Sequence, residues 1–198
     1  MRFPDLACGR SERLLLLGSS GVGKTTLLHL LSGLLRPVGG EIEVEGTMIS
    51  GLGDRALDQF RGERIGVVFQ RAHFVQSLTV LENLALPLFL TGRRPDPARA
   101  VAMLEALGVG HKASARPRDL SVGEQQRASI ARALVHRPAV VLADEPTSAL
   151  DDASTEAVIG LLEAQAAEAG ATLVIVTHDS RLKNRYPNRV ELSNLAHR

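Results

Sequence analysis

Short apolar runs alternate along this chain with longer stretches of helical periodicity. "RLLLLG" (13–18), "AVVLA" (139–143) and "TLVIVT" (172–177) are almost unbroken runs of apolar residues that end abruptly in glycine or charged residues. Runs of that length without polar alternation predict strands buried on both faces of a parallel sheet. "RIGVVFQ" (64–70) predicts another strand, ending at Gln70. "GGEIEVEG" (39–46) instead alternates Ile42 and Val44 with glutamates, the period-2 pattern of a half-exposed strand in an antiparallel flap.

Helical spacing takes over elsewhere. "KTTLLHLLSGLL" (24–35) predicts a helix with Gly33 and Pro37 available to stop it, and "DASTEAVIGLLEA" (152–164) predicts another. Between Gln70 and Pro138 strand patterns disappear. "LTVLENLALPLFL", "PARAVAMLEALGVG" and the stretch after Ser121, with Ala128, Ala131, Leu134 and Val135 at helical spacing, predict a helical lobe over 71–137. "TGRRPDP" within it, with one Gly and two Pro, predicts an exposed loop. The whole, residues 1–198, is expected to form one α/β domain with that lobe inserted.

Composition narrows the classes of function. Lys+Arg number 23 against 22 Asp+Glu, a balance that argues against a dedicated nucleic-acid binder. The single cysteine, Cys8, can form no internal disulfide and has no cysteine companion for structural zinc. A reducing cytosolic setting is expected. The apolar runs fall far short of the roughly 20 residues that span a bilayer as a helix. The N-terminal "MRFPDLACGRSER" lacks a signal-peptide apolar core. Any membrane role is therefore expected to come through a partner.

Three stretches carry chemistry. "GSSGVGKTT" (18–26) matches G-x-x-x-x-G-K-[ST] between a predicted strand and a predicted helix. Gly18, Ser19, Ser20, Gly21, Val22, Gly23, Lys24, Thr25 and Thr26 would then cradle nucleoside triphosphate phosphates on converging backbone N–H groups at a helix start. Lys24 would reach the β and γ phosphates, and the Thr25 hydroxyl would coordinate Mg²⁺. "VVLADEP" (140–146) delivers two adjacent carboxylates at a strand's carboxyl end. Asp144 is suited to hold Mg²⁺ through its water shell and Glu145 to polarise an attacking water. In "RDLSVGEQQRASIARAL" (118–134), Ser121 and Glu124 have capping-box spacing. That stretch reads either as a plain helix start or as a second anion site, with Ser121 and Gly123 facing the anion.

Together with Gln70, "TSALD" (147–151) and His178, these motifs occur in an order and spacing that resemble the ATP-binding cassette ATPases over nearly the whole chain. "GVVFQRAHFVQSLTVLENLALPL" and "QQRASIARALVHRPAVVLADEPTSALD" look most like the lipoprotein-release and macrolide-export group, with the cell-division ATPase in the same neighbourhood. The resemblance implies a P-loop NTPase fold with a mainly parallel sheet core, an antiparallel β flap and an inserted helical lobe. It also implies ATP and Mg²⁺ as ligands. Gln70 would contact Mg²⁺ and the attacking water, His178 the γ-phosphate, and Ser148 to Asp151 would cross a subunit interface. Two copies would pack head to tail, so that Ser121, Gly123 and Glu124 of one close on the ATP held by the other. The pair would sit under transmembrane permease subunits at the inner face of the cell membrane.

The chain departs from the pattern at two places. The common LSGGQ is here "LSVGE", so Val122 needs an unstrained backbone and Glu124 puts a carboxylate beside an anion site. Only 23 residues precede Lys24, and Phe3 is the one aromatic there that could stack on adenine. Two functions remain open on the motifs alone: powering an exporter or a lipid or lipoprotein extraction complex, or controlling an extracytoplasmic hydrolase through a membrane partner without transport. A DNA-repair or translation ATPase would need a coiled-coil insertion or a second cassette, and this sequence has neither. A small-molecule phosphotransferase is disfavoured, since Glu145 and His178 suit attack by water.

Overall fold

A computed structural model describes residues 1–148 and 152–192. Its central sheet comprises β1 (Arg13–Leu17), β4 (Ile65–Val68), β5 (Val140–Asp144), β6 (Thr172–Thr177) and β7 (Arg189–Glu191) in the order β4-β5-β6-β1-β7. Every neighbouring pair is parallel. The unbroken apolar runs arise because alternate side chains enter different cores. Leu15 and Leu17 of β1, Val141 and Ala143 of β5, and Leu173 and Ile175 of β6 join one cluster with Ile130 and Ile159. Leu14 and Leu16, Leu142, and Val174 and Val176 join the other with Leu27 and Leu28 of α1 (Lys24–Leu31).

The flap is smaller than the sequence pattern predicts. Only Glu43–Val44 (β2) and Thr47–Met48 (β3) pair, antiparallel, around a turn where Glu45 and Gly46 both take positive φ. The strand leading to Gln70 also ends early, at Val68, and leaves Phe69 and Gln70 in a loop. An unexpected helix, α2 (Asp54–Arg64), lies between them.

Helices α3 (Val80–Leu90), α4 (Pro97–Ala106) and α5 (Val122–Leu134) occupy the stretch read as a helical lobe. Phe74, Val80, Leu84, Met103 and Leu104 belong to the same buried cluster as the sheet. Phe74 and the 78–84 stretch are therefore largely spent on core packing. Phe74 lies under the Arg132 guanidinium, 4.7 Å from its ring centre, and Val80 and Leu84 are fully buried. The large apolar side chains that the 71–137 stretch leaves exposed are Val75, Phe89, Leu90 and Val122. Buried Asn83 ties the loop after Gln70 to α3, accepting from Val75 N–H and donating to carbonyls of Val75 and Thr79.

Helix α6 (Asp152–Glu168) crosses back to β6. Its Glu163 accepts from the buried Tyr186 hydroxyl at 2.5 Å and from the Arg185 guanidinium, anchoring the approach to β7. Among the described residues no helix is long and apolar enough to cross a membrane.

Candidate active site

The parallel register brings three strand ends together. Leu17, the last residue of β1, pairs with Thr177, and Asp144, the last of β5, pairs with Val176. Gly18, Glu145 and His178 therefore leave the sheet at one edge, the carboxyl edge where open α/β sheets bind ligands. A cavity of about 550 Å³ elsewhere, lined by Leu6, Cys8, Arg137 and Val140 among others, includes none of residues 18–26, Gln70, Ser121, Gly123, Asp144, Glu145 or His178.

Glycine is required at two points of the 18–26 loop. A Cβ on Gly18 would stand 2.7 Å from Val22 Cγ1 and 2.9 Å from the Leu192 carbonyl oxygen. Gly23, with φ 97°, turns the chain into α1 without any side-chain cap. The first N–H groups of α1 thus stay available to an anion, with the helix dipole behind them. Lys24, buried, folds back into the loop: its ammonium donates to the carbonyls of Gly18 (2.8 Å) and Ser19 (3.0 Å) and lies 3.4 Å from Glu145 Oε1. Ser19, Ser20, Thr25 and Thr26 are exposed.

The Thr25 hydroxyl donates to Asp144 Oδ2 at 2.9 Å. Asp144 Oδ1 is buried without a partner. Burial pushes the Asp144 carboxyl above the usual range, and Glu145 beside it adds to the effect against the Thr25 hydrogen bond. A desolvated carboxylate with one idle oxygen next to a hydroxyl suits Mg²⁺, which takes few protein ligands and fills its octahedron with water and phosphate. Gln70 is not brought to this pair. Its side-chain amide donates to Ser148 Oγ at 3.2 Å instead. Ser148 opens the "SALD" stretch, whose other residues, 149–151, lie outside the described residues.

The Glu145 carboxylate meets four groups, the Thr177 hydroxyl, the His178 N–H, the His178 ring and the Lys24 ammonium. The residue's φ is 46°, a left-handed conformation that costs a non-glycine residue about 1–2 kcal/mol. Its carboxylate, once in place, is over-determined by donors, the condition under which such strain persists at functional sites. Oε2 accepts from the Thr177 hydroxyl (2.8 Å) and the His178 N–H (3.3 Å), while Oε1 contacts His178 Nδ1 (2.8 Å) and Lys24. Burial pushes the carboxyl up, but hydrogen bonds from His178 and Thr177 and the charge of Lys24 outweigh it and hold it below its ordinary value. Two adjacent carboxylates are therefore driven in opposite directions, a common sign of divided chemical roles. Thr177 has no place among the motif residues, because a threonine closing a β-branched strand looks like ordinary strand sequence.

The Ser121 segment stands apart. Ser121 is the N-cap of α5, and its capping box is complete: its hydroxyl accepts from Glu124 N–H (3.3 Å) and its N–H donates to Glu124 Oε2 (2.8 Å). Glu124 Oε1 turns to His111 Nε2 at 3.1 Å, with Lys112 at 3.8 Å. The backbone hydrogen bond from Ser121 holds the Glu124 carboxyl below its usual range. The carboxylate is thus folded back and countered by bases. Val122 takes an ordinary helical backbone and is exposed, so the substitution in the common motif carries no strain. Among the described residues, neither Ser121 nor Gly123 hydrogen-bonds any residue of 18–26, Asp144, Glu145 or His178. Phe3 lies beside the loop, 3.5 Å from where a Gly23 Cβ would be, with Met1 closer still.

Residues 4–148 match the family model described as ABC transporter. The chain is 41% identical over 190 residues to the lipoprotein-releasing system ATP-binding protein LolD of Shewanella denitrificans, covering 95% of this chain and 82% of that protein. It is 44% identical over 191 residues to the macrolide export ATP-binding/permease protein MacB 1/2 of Paracoccus denitrificans, covering 96% of this chain but only 28% of that longer protein. Among solved structures, the ATP-binding cassette MJ0796, in a dimeric post-hydrolysis state bound to ADP and Pi, superposes with a TM-score of 0.87 at 35% identity, covering 96% of this chain and 84% of that one. The phosphate loop, the carboxylate pair at the strand end and the capped Ser121 segment fall within a single sequence-wide likeness, and the chain belongs to the ABC transporter family as one of its ATP-hydrolysing ATPases.

Proposed function

We propose that this chain powers a membrane transport machine, an exporter or a complex that extracts lipids or lipoproteins, as a head-to-tail homodimer beneath two transmembrane subunits. The observation that carries the reading is a division within the molecule. Lys24, Thr25, Asp144, Glu145 and His178 converge at one sheet edge, while Ser121, exposed, and Gly123, half-buried, share no hydrogen bond with it among the described residues. A second copy, supplying its Ser121 segment, would complete the site, and the MJ0796 structures, described as dimeric, support that arrangement. The names of LolD and MacB support release or export as the task.

In this reading the N–H groups of residues 18–26 take the phosphates, and Lys24 exchanges its loop carbonyls for phosphate oxygens. Thr25 and Asp144 would hold Mg²⁺, and Gln70, which here bonds Ser148, would be a further ligand. The ion, when bound, neutralises charge that builds up on the phosphate oxygens. Glu145 takes a proton from the attacking water, and His178 turns to the γ-phosphate. From the opposite subunit, Ser121 and Gly123 donate to the γ-phosphate, and Glu124 stays folded on its own cap. The 71–137 lobe meets the membrane subunits, to which it offers Val75, Phe89 and Leu90, and so holds the chain at the inner face of the membrane.

Glu145→Gln tests the chemistry. The variant should bind ATP and accumulate as an ATP-bound dimer on gel filtration; turnover at the original rate would remove Glu145 as the base. Mass spectrometry of the chains that co-purify from native membranes tests the transport role, with a permease expected. Recovery of a membrane regulator of an extracytoplasmic hydrolase would contradict it.

A further inference from the structure

The two oxygens of the Glu145 carboxylate are held by different kinds of group. Oε2 is bound by Thr177, whose hydroxyl is fully buried and also accepts the Asp179 N–H at 3.0 Å, and by the His178 backbone N–H. Neither donor can move without disturbing the end of β6. Oε1 is bound by the Lys24 ammonium and the His178 ring, two cationic or hydrogen-bonding side chains that a phosphate would draw away.

Resting on the reading of Glu145 as the base, we infer that Thr177 is a positioning residue for hydrolysis. It anchors Oε2 so that ATP binding, by recruiting Lys24 and His178, frees Oε1 alone and aims it at the attacking water. In the reaction, Oε1 takes a water proton while the water oxygen bonds to the γ-phosphorus. The bond from that phosphorus to the β–γ bridging oxygen breaks, and its electron pair leaves with ADP. Thr177 exchanges no proton with the substrate and touches none of the reacting atoms.

Around Thr177 the anchor is itself braced. Its strand neighbours Leu173 to Val176 are buried, and Asp179 is fixed by Arg181 and by the Thr147 hydroxyl at 3.3 Å. Thr177→Val keeps the branched shape that the strand end needs and removes only the hydroxyl. Thr177→Ser keeps the hydroxyl.

The test measures ATP affinity with a fluorescent ATP analogue, kcat and KM, and the melting temperature of each variant. Thr177→Val should lose about 5- to 20-fold in kcat, part of the 10²–10⁴-fold that a positioned base contributes, with KM and affinity within twofold. Thr177→Ser should restore kcat to within about twofold. In the Glu145→Gln background, single-turnover rates should not fall further when Thr177→Val is added, because no carboxylate remains to be aimed. Wild-type kcat for Thr177→Val, or an equal loss in both backgrounds, overturns the inference. Should Thr177→Val fold poorly, Thr177→Ala in the same two backgrounds gives the same discrimination. The control separates the two claims: if Glu145→Gln itself turns over normally, the reading of the base has failed, whereas a dead Glu145→Gln beside a normal Thr177→Val sinks the anchor alone.

Discussion

The Thr25 hydroxyl donates to Asp144 Oδ2 at 2.9 Å, while the other oxygen of the same carboxylate lies buried with nothing to bind. Folding thus desolvates a charge and leaves half its acceptor capacity unused, a costly arrangement unless a cation arrives. The direction of its pKa shift, upward and mainly from burial, agrees.

Asp144→Asn should therefore separate stability from function. Without the desolvated charge beside Glu145, the variant should melt at or above the wild-type temperature in the absence of nucleotide. Its ATP affinity should become insensitive to Mg²⁺, whereas the wild type should bind about tenfold or more tightly in Mg²⁺ than in EDTA, a difference near 1.4 kcal/mol. Titration of a fluorescent ATP analogue in both buffers measures this. A variant that keeps the full Mg²⁺ response would show that Asp144 does not hold the ion.

A second consequence concerns pH. His136, just beyond α5, is 4% exposed, and neither ring nitrogen finds a well-aligned hydrogen-bond partner. Burial, helped by nearby Arg93 and opposed by the Ile65 backbone, pushes its pKa down to about 4 from 6.5. The unfolded chain takes up a proton below 6.5 that the folded chain refuses until about 4, so stability from this group is fully present above pH 6.5 and is lost as pH falls to 4. The loss is on the order of 3 kcal/mol. Chemical denaturation of wild type and His136→Leu at pH 7.5, 6.0 and 5.0 should show a gap between them that changes over this window. Parallel curves would contradict it.

Much of this architecture is legible in the sequence, for identifiable reasons. Strands buried on both faces must be apolar throughout, and β1, β5 and β6 are. The Ser121–Glu124 box encodes its own geometry, because each side chain needs only the other residue's backbone N–H. Helix α2 escapes detection since it is strongly charged and buries only Leu57. Likewise β7, three residues with none fully buried, carries no pattern and is a strand because β1 offers it an edge. At the site, Lys24, Thr25, Asp144, Glu145 and His178 could be named from motif order. Thr177 could not, because its role depends on which oxygen of Glu145 it meets, and the Gln70 hydrogen bond to Ser148 carries no sequence signal.

The central claim is that each ATP site is shared between two copies, and mixing two defective subunits tests it most directly. Ser121→Ala and Lys24→Ala, carrying different affinity tags, should each be nearly inactive as homodimers. An isolated heterodimer holds one site with Lys24 from the first subunit and Ser121 from the second, and another site that lacks both. ATPase activity of the purified heterodimer should therefore rise well above either parent, to no more than about half the wild-type rate; a heterodimer as inactive as its parents would contradict the shared site.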